Sequence, residues 1–234
     1  VSGEAFIRSD PNKVKALFSG FDVTVIVFLR RQDLYMESSY NQNKKMRPSQ
    51  VELDVLLSRT NSVLDYATLL DGWSACFGEE NIVVTPFERS SFGDGLERYL
   101  LSLLGVEWSR SYKTELKNPG LNRDCLAFVS EHFLPEEVGA RERGRVIEML
   151  AQYSSEHSDG KSLKYNLPPS KRLEIIEKYS AINREVAQRY LGREDGRLFL
   201  DPLPSLEDEW QPYSGLSDER RDEIIRYLVG RVSV

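Results

Sequence analysis

Two arginines and two serines carry the strongest chemical signal in this chain. In VTVIVFLRRQDLYMESSYNQ, residues 23 to 42, an apolar run ends at Arg30 and Arg31, and Ser38 and Ser39 follow eight residues after each. A planar guanidinium binds a tetrahedral oxyanion through paired N–H donors. If a helix starts just after the arginines, its free backbone N–H groups and positive dipole end favour an anion at the same place. A hydroxyl returning from the second turn completes a pocket for a phosphate or sulfate dianion. Tyr35, Ser38 and Gln42 share one helical face by their spacing of three and four. The same stretch also fits a solvated rim on which Arg30 and Arg31 pair with Asp33 and Glu37, and spacing alone leaves both readings open.

The elements that must position these groups follow from the apolar pattern. Val23 and Val25 to Leu29 form a nearly continuous β-branched run, which predicts a strand covered on both faces in a parallel sheet. From Gln32 to Lys45 the pattern is helical, ended by Arg47-Pro48-Ser49. In open parallel sheets ligands gather beyond the carboxyl ends of the strands, where Arg30 falls. Asn81 to Thr85 reads as a second buried strand, stopped by Pro86, and residues 4 to 7 as the tail of a third. Between these, Asp10 and Pro11 start a short helix closed by Gly20. A single helical stretch runs through VLDYATLLDGWSACFG. Beyond Pro86 the chain reads as mostly helical, including one long stretch, PPSKRLEIIEKYSAINREVAQRYLG, whose Leu173, Ile176, Tyr179, Ile182, Val186 and Tyr190 trace an apolar stripe up to Gly192. The fold expected is α/β, a parallel sheet flanked by helices and predominantly helical in the C-terminal half.

Composition narrows the function classes. The chain has 234 residues, 40% hydrophobic and 29% charged, which suits one large globular domain or two small ones; a single domain over residues 1 to 234 is the expectation. A net charge of −6 argues against a broad basic face, so no nucleic-acid partner is expected. No apolar run approaches the ~20 residues that span a bilayer, so no transmembrane segment is expected here. Cys76 and Cys125 lie far apart without a CxxC, and His132 and His157 are the only histidines, so neither a disulfide framework nor a metal site is signalled. Two thiols fit a reducing compartment, and a cytoplasmic location is the expectation. Gly160-Lys161-Ser162 has the ending of a phosphate-binding loop, but residue 155 is serine where that loop requires glycine. Two strands and a clipped third are few for a parallel sheet, and the chain opens on Val1; the missing strand and first loop are expected upstream.

The run VIVFLRRQDLYMESSYNQ resembles the 3′-phosphate-binding segment of sulfotransferases that use 3′-phosphoadenosine 5′-phosphosulfate (PAPS). In that family a strand ends in an arginine, and a serine eight residues later reaches the same phosphate. The match puts Arg30 and Ser38 in those positions, with Arg31 and Ser39 one residue out of register. YATLLDGWSACFGEENIVVTPFERSSFGDGLERYLLSLLGV resembles the family's helix with a Trp, short strand, Glu and helix ending on LLG. INREVAQRYLGREDGRLF is similar to the tail of bacterial sulfotransferase-like domains associated with glycan modification. The family's Lys-containing 5′-phosphosulfate loop is absent from these residues, as is the RKGxxG segment of its cytosolic branch. The resemblance implies a sulfotransferase-like, P-loop-type sheet. It also implies metal-free transfer of a sulfuryl group from PAPS to a hydroxyl or amine of a small-molecule or glycan acceptor, most consistent with a carbohydrate. Arg30 and Ser38, with Arg31 as the alternative, would anchor the donor. Glu4, on the clipped strand, is the candidate general base, and Glu88 the runner-up. Two other classes stay open: a catalytically degenerate module that binds a glycan or protein partner, and another nucleotide-binding α/β transferase.

Overall fold

The computed structural model describes residues 4–46, 53–109, 120–132, 139–157 and 165–232. The chain is α/β and mostly helical, with a small two-stranded parallel sheet. It divides into two compact units. The first comprises Val1–Gln32, Leu57–Tyr112 and Glu174–Leu203; the second comprises Asp33–Leu56, Lys113–Leu173 and Pro204–Val234.

In the first unit, Asp10 accepts the Asn12 N–H at 2.9 Å and Pro11 opens α1 (Pro11–Leu17), as the cap signals predict. Strand β1 (Val25–Leu29) pairs in parallel with β2 (Ile82–Pro86), Val25 opposite Ile82 through Leu29 opposite Pro86. Between them run α3 (Leu53–Leu64), which starts in the second unit, and α4 (Tyr66–Phe77). After β2 come the short α5 (Arg89–Phe92) and α6 (Leu96–Leu103). Tyr66, Leu70 and Trp73 of α4 form a core with Leu29, Ile82 and Val84 of the sheet. Leu198, Phe199 and two residues of a later helix, Val186 and Ala187, close it. Each fully buried apolar side chain of this kind contributes about 1.5–3 kcal/mol.

Three expectations are corrected here. Residues 4 to 7 are not a strand tail: Glu4–Arg8 is a 3₁₀ turn, closed by the Ser9 N–H on the Phe6 carbonyl at 3.0 Å. It lays Phe6 against the core without any ladder. The single helix through VLDYATLL is two, because the Asp65 carboxylate accepts from Thr68 N at 3.1 Å and Thr68 Oγ1 at 3.0 Å and so caps a new helix. The stretch after Pro168 is likewise two helices, α9 (Pro169–Lys178) and α10 (Ser180–Leu191), which meet at buried Tyr179. Gly192, at φ 62°, ends α10 in the left-handed conformation, as expected.

The second unit holds α2 from Asp33 onward (the helix is Gln32–Met46), α7 (Arg123–His132), α8 (Ala140–Glu156) and α11 (Asp218–Val232). Cys125, Phe128 and Val129 of α7, Leu150, Ala151 and Tyr153 of α8, and Ile224 and Leu228 of α11 form its core. Burial pushes the Cys125 thiol up to about 12, so it is an inert core group.

Candidate functional site

The chemistry-bearing residues gather at the carboxyl end of the parallel pair in the first unit. Arg30 follows β1 directly and is half-buried; the Tyr66 hydroxyl donates to its backbone carbonyl. One residue past β2, the Phe87 N–H donates to the Leu29 carbonyl at 2.6 Å, extending the ladder by a step and setting Phe87 beside Arg30. The Arg30 guanidinium lies 5.5 Å from the centre of the Phe87 ring, within cation–π range.

Arg31, 5% exposed, has a different occupation. Its Nη1 donates to the carbonyls of Asp201 at 3.2 Å and Pro202 at 2.9 Å. Glu88, 7% exposed, holds the same segment from the other side: it accepts the Leu200 N–H on both oxygens at 2.8 Å and the Asp201 N–H at 2.9 Å. The Asp201 carboxylate in turn accepts the N–H groups of Arg89 at 3.2 Å and Ser90 at 3.4 Å. Arg31, Glu88 and Asp201 thus clasp the 200–202 segment to the strand ends, and Glu88 spends its carboxylate on main-chain donors.

The remaining sequence-derived candidates fall elsewhere. Ser38 is exposed on α2 in the second unit, Ser39 is half-buried there, and the Ser39 carbonyl accepts from Asn43 Nδ2 at 2.8 Å. The side chain of Glu4 lies outside the described part of the structure. Asp33 and Glu37 have partners within the second unit. Asp33, fully buried, receives Arg172 Nε at 3.0 Å and Nη2 at 2.7 Å, while the Tyr165 ring lies 3.9 Å beneath the guanidinium. Glu37 accepts Asn166 N and Nδ2 at 3.0 Å and Leu167 N at 2.7 Å. Gly160 to Ser162 lie outside the described residues, but Ser155 is within α8, where a phosphate-binding loop would need an open glycine turn after a strand.

His132 packs on Phe128 and His157 stacks on Tyr153, 4.1 Å between ring centres, both in the second unit. Among the described residues no group of three His, Cys, Asp or Glu side chains is placed to hold a metal ion, and no helix is long and apolar enough to cross a membrane. Sequence reasoning missed Phe87, Tyr66 and Asp201. Phe87 had a readable signal, an aromatic immediately after a strand; Tyr66 and Asp201 join the site only through contacts across 36 and about 112 residues of chain.

A parallel strand ending in a half-buried arginine stacked on an aromatic ring is a feature suited to gripping an anion. No family model matches the chain, and no solved structure matches it. It is similar to an uncharacterized protein of Archaeoglobus fulgidus, 27% identical over 200 residues that cover 82% of this chain and 53% of the relative. The chain therefore spans about half the length of the curated relative it matches.

Proposed function

We propose that this chain carries the 3′-phosphate half of the donor site of a PAPS-dependent sulfotransferase acting on a hydroxyl or amine, with a carbohydrate as the acceptor class. The observation that carries the reading is the placement of Arg30: it directly follows a half-buried parallel strand, next to the start of α2, with its guanidinium against Phe87. The neighbouring Arg31 donates to the Asp201 and Pro202 carbonyls. On this reading Arg30 anchors the nucleotide's 3′-phosphate and does no chemistry itself. The acceptor oxygen or nitrogen attacks sulfur in line, the bond from sulfur to the bridging phosphate oxygen breaks, and adenosine 3′,5′-bisphosphate leaves. Positioning and charge stabilisation dominate such a transfer, as in phosphoryl transfer, and it proceeds without a metal. Glu4 is the base proposed to take the acceptor's proton. Glu88 is unsuited to that task because backbone N–H groups occupy its oxygens.

Calorimetric titration with adenosine 3′,5′-bisphosphate tests the reading on this chain and on Arg30→Ala. A charge-assisted hydrogen bond contributes about 1.5–3 kcal/mol, so Arg30→Ala should weaken binding by about one to two orders of magnitude. Equal affinity of the two proteins, or preference for ATP with Mg²⁺ over the bisphosphate, overturns it.

A further inference from the structure

Residues 204 to 216 form a strap on the second unit, without helix or strand, that leads into α11. Most of its side chains are exposed, and its polar contacts with the rest of the unit converge on Tyr165 and the first turn of α7. Trp210 Nε1 donates to the Tyr165 carbonyl at 3.1 Å, and the Tyr213 hydroxyl donates to Asp124 Oδ1 at 3.0 Å. Between them, Arg123 donates to the Gln211 carbonyl from Nη1 at 2.8 Å and from Nη2 at 2.5 Å. The same guanidinium lies 5.5 Å from the Trp210 ring centre and 5.4 Å from that of Tyr213. Beyond the strap, Leu216 is anchored in the unit's core, and Gly215, at φ 100°, supplies a pivot just before it.

Arg123 is the anomaly beneath this strap. It is 5% exposed, its Nε is buried without a hydrogen-bond partner, and among the described residues no carboxylate forms an ion pair with it. Burial lowers its pKa, and the charges of Asp124 and Glu37 oppose that only from a distance. Both carboxylates are occupied: Asp124 by the Tyr213 hydroxyl, with Arg220 Nε 4.0 Å from its other oxygen, and Glu37 by the amides of Asn166 and Leu167. A buried cation whose acceptors are neutral carbonyls is under-compensated. Its Nε and Nη2 donors form the edge that matches two oxygens of a tetrahedral oxyanion.

We propose that Arg123 anchors an oxyanion site for a phosphate group, closed by residues 204 to 216, and that the anion opens the strap by taking the guanidinium from the Gln211 carbonyl. The closed form is the one described; the open form alone binds, so the anion shifts the population toward it. Arg30 lies in the first unit, so no outcome here bears on the donor-site reading.

Hydrogen–deuterium exchange of the whole chain, read by mass spectrometry, tests this with inorganic phosphate titrated against sodium chloride at matched ionic strength. Exchange in the strap should rise saturably with phosphate and not with chloride, while the amides of α8 and α11 keep their protection. Arg123→Met should exchange fast in the strap without phosphate and show no response to it. Trp210→Leu removes one ring and one hydrogen bond from the closed form, so it should lower the phosphate midpoint about three- to tenfold. A phosphate effect no larger than that of chloride overturns the proposal, as does an equal response in Arg123→Met or an unchanged midpoint in Trp210→Leu. If Arg123→Met loses protection throughout the unit, Arg123→Lys replaces it: this variant keeps the charge without the fork and should raise the midpoint, and a wild-type midpoint overturns the proposal.

Discussion

Adjacent arginines, Arg30 and Arg31, just past the end of β1, make different contacts. Arg31 points into the 200–202 segment and satisfies two carbonyls, whereas Arg30 is half-buried against a ring. Arg31→Ala removes the charge-assisted hydrogen bonds of a buried guanidinium to two part-buried carbonyls, a loss of about 1.5–3 kcal/mol. Urea unfolding should show that drop, with affinity for adenosine 3′,5′-bisphosphate falling less than in Arg30→Ala. The reverse ranking, intact stability with binding abolished, would move the anion site to the register of Arg31 and Ser39.

At the scale of elements, α2 is held in the second unit by charge. Asp33 and Glu37 lie four residues apart on one face; Asp33 binds the Arg172 guanidinium within α9, and Glu37 binds the amides of residues 166 and 167 in the segment that leads into it. With Asp33 fully buried and Arg172 4% exposed, removing the cation strands a buried carboxylate. Arg172→Met should destabilise the protein by about 3–5 kcal/mol, and adding Asp33→Leu should recover much of the loss, since a buried pair and an apolar pair of similar volume differ little. Thermal unfolding of the single and double variants checks this. Additive losses would mean that the two residues act independently. The helix breaks at Asp65 and Tyr179 belong to this scale too. Periodicity runs straight through both, and Asp65 reads as a surface residue until its carboxylate is seen to accept from Thr68.

At the scale of the molecule, each unit has its own apolar core, and the core of the second unit carries groups that resist ionisation. Burial, reinforced by the neighbouring Glu223 carboxylate, pushes Tyr153 up to about 12, and burial, with the Asp124 carboxylate adding to it and the Ser154 hydroxyl opposing it, takes Cys125 to about 12. Unperturbed values are about 8.5 for a thiol and about 10 for a phenol, so in alkali the unfolded chain loses these protons first. Their stabilisation is therefore complete below those values and is lost as pH rises through about 12. The melting temperature should fall steadily from about pH 9 upward, and Tyr153→Phe should make that fall shallower. A profile flat to pH 11, or one that Tyr153→Phe leaves unchanged, contradicts the assignment.

By itself the sequence determined what short-range physics controls. The β-branched run that becomes β1, the Asp10-Pro11 start of α1, the Gln32 start of α2, the second strand before Phe87 and the Gly192 cap are all set by residues within a few positions of one another. It also placed Arg30 at a strand end, where the structure has it. Tertiary structure alone decided which polar groups are spoken for. Arg31 and Glu88 meet the 200–202 segment across more than a hundred residues, and Asp33 meets Arg172 across 139. Such pairings depend on which buried donors and acceptors folding leaves facing one another, and no local pattern encodes that. The same long-range packing turned residues 4 to 8 into a 3₁₀ turn, because Phe6 gains its contact with the core there without a strand beside it.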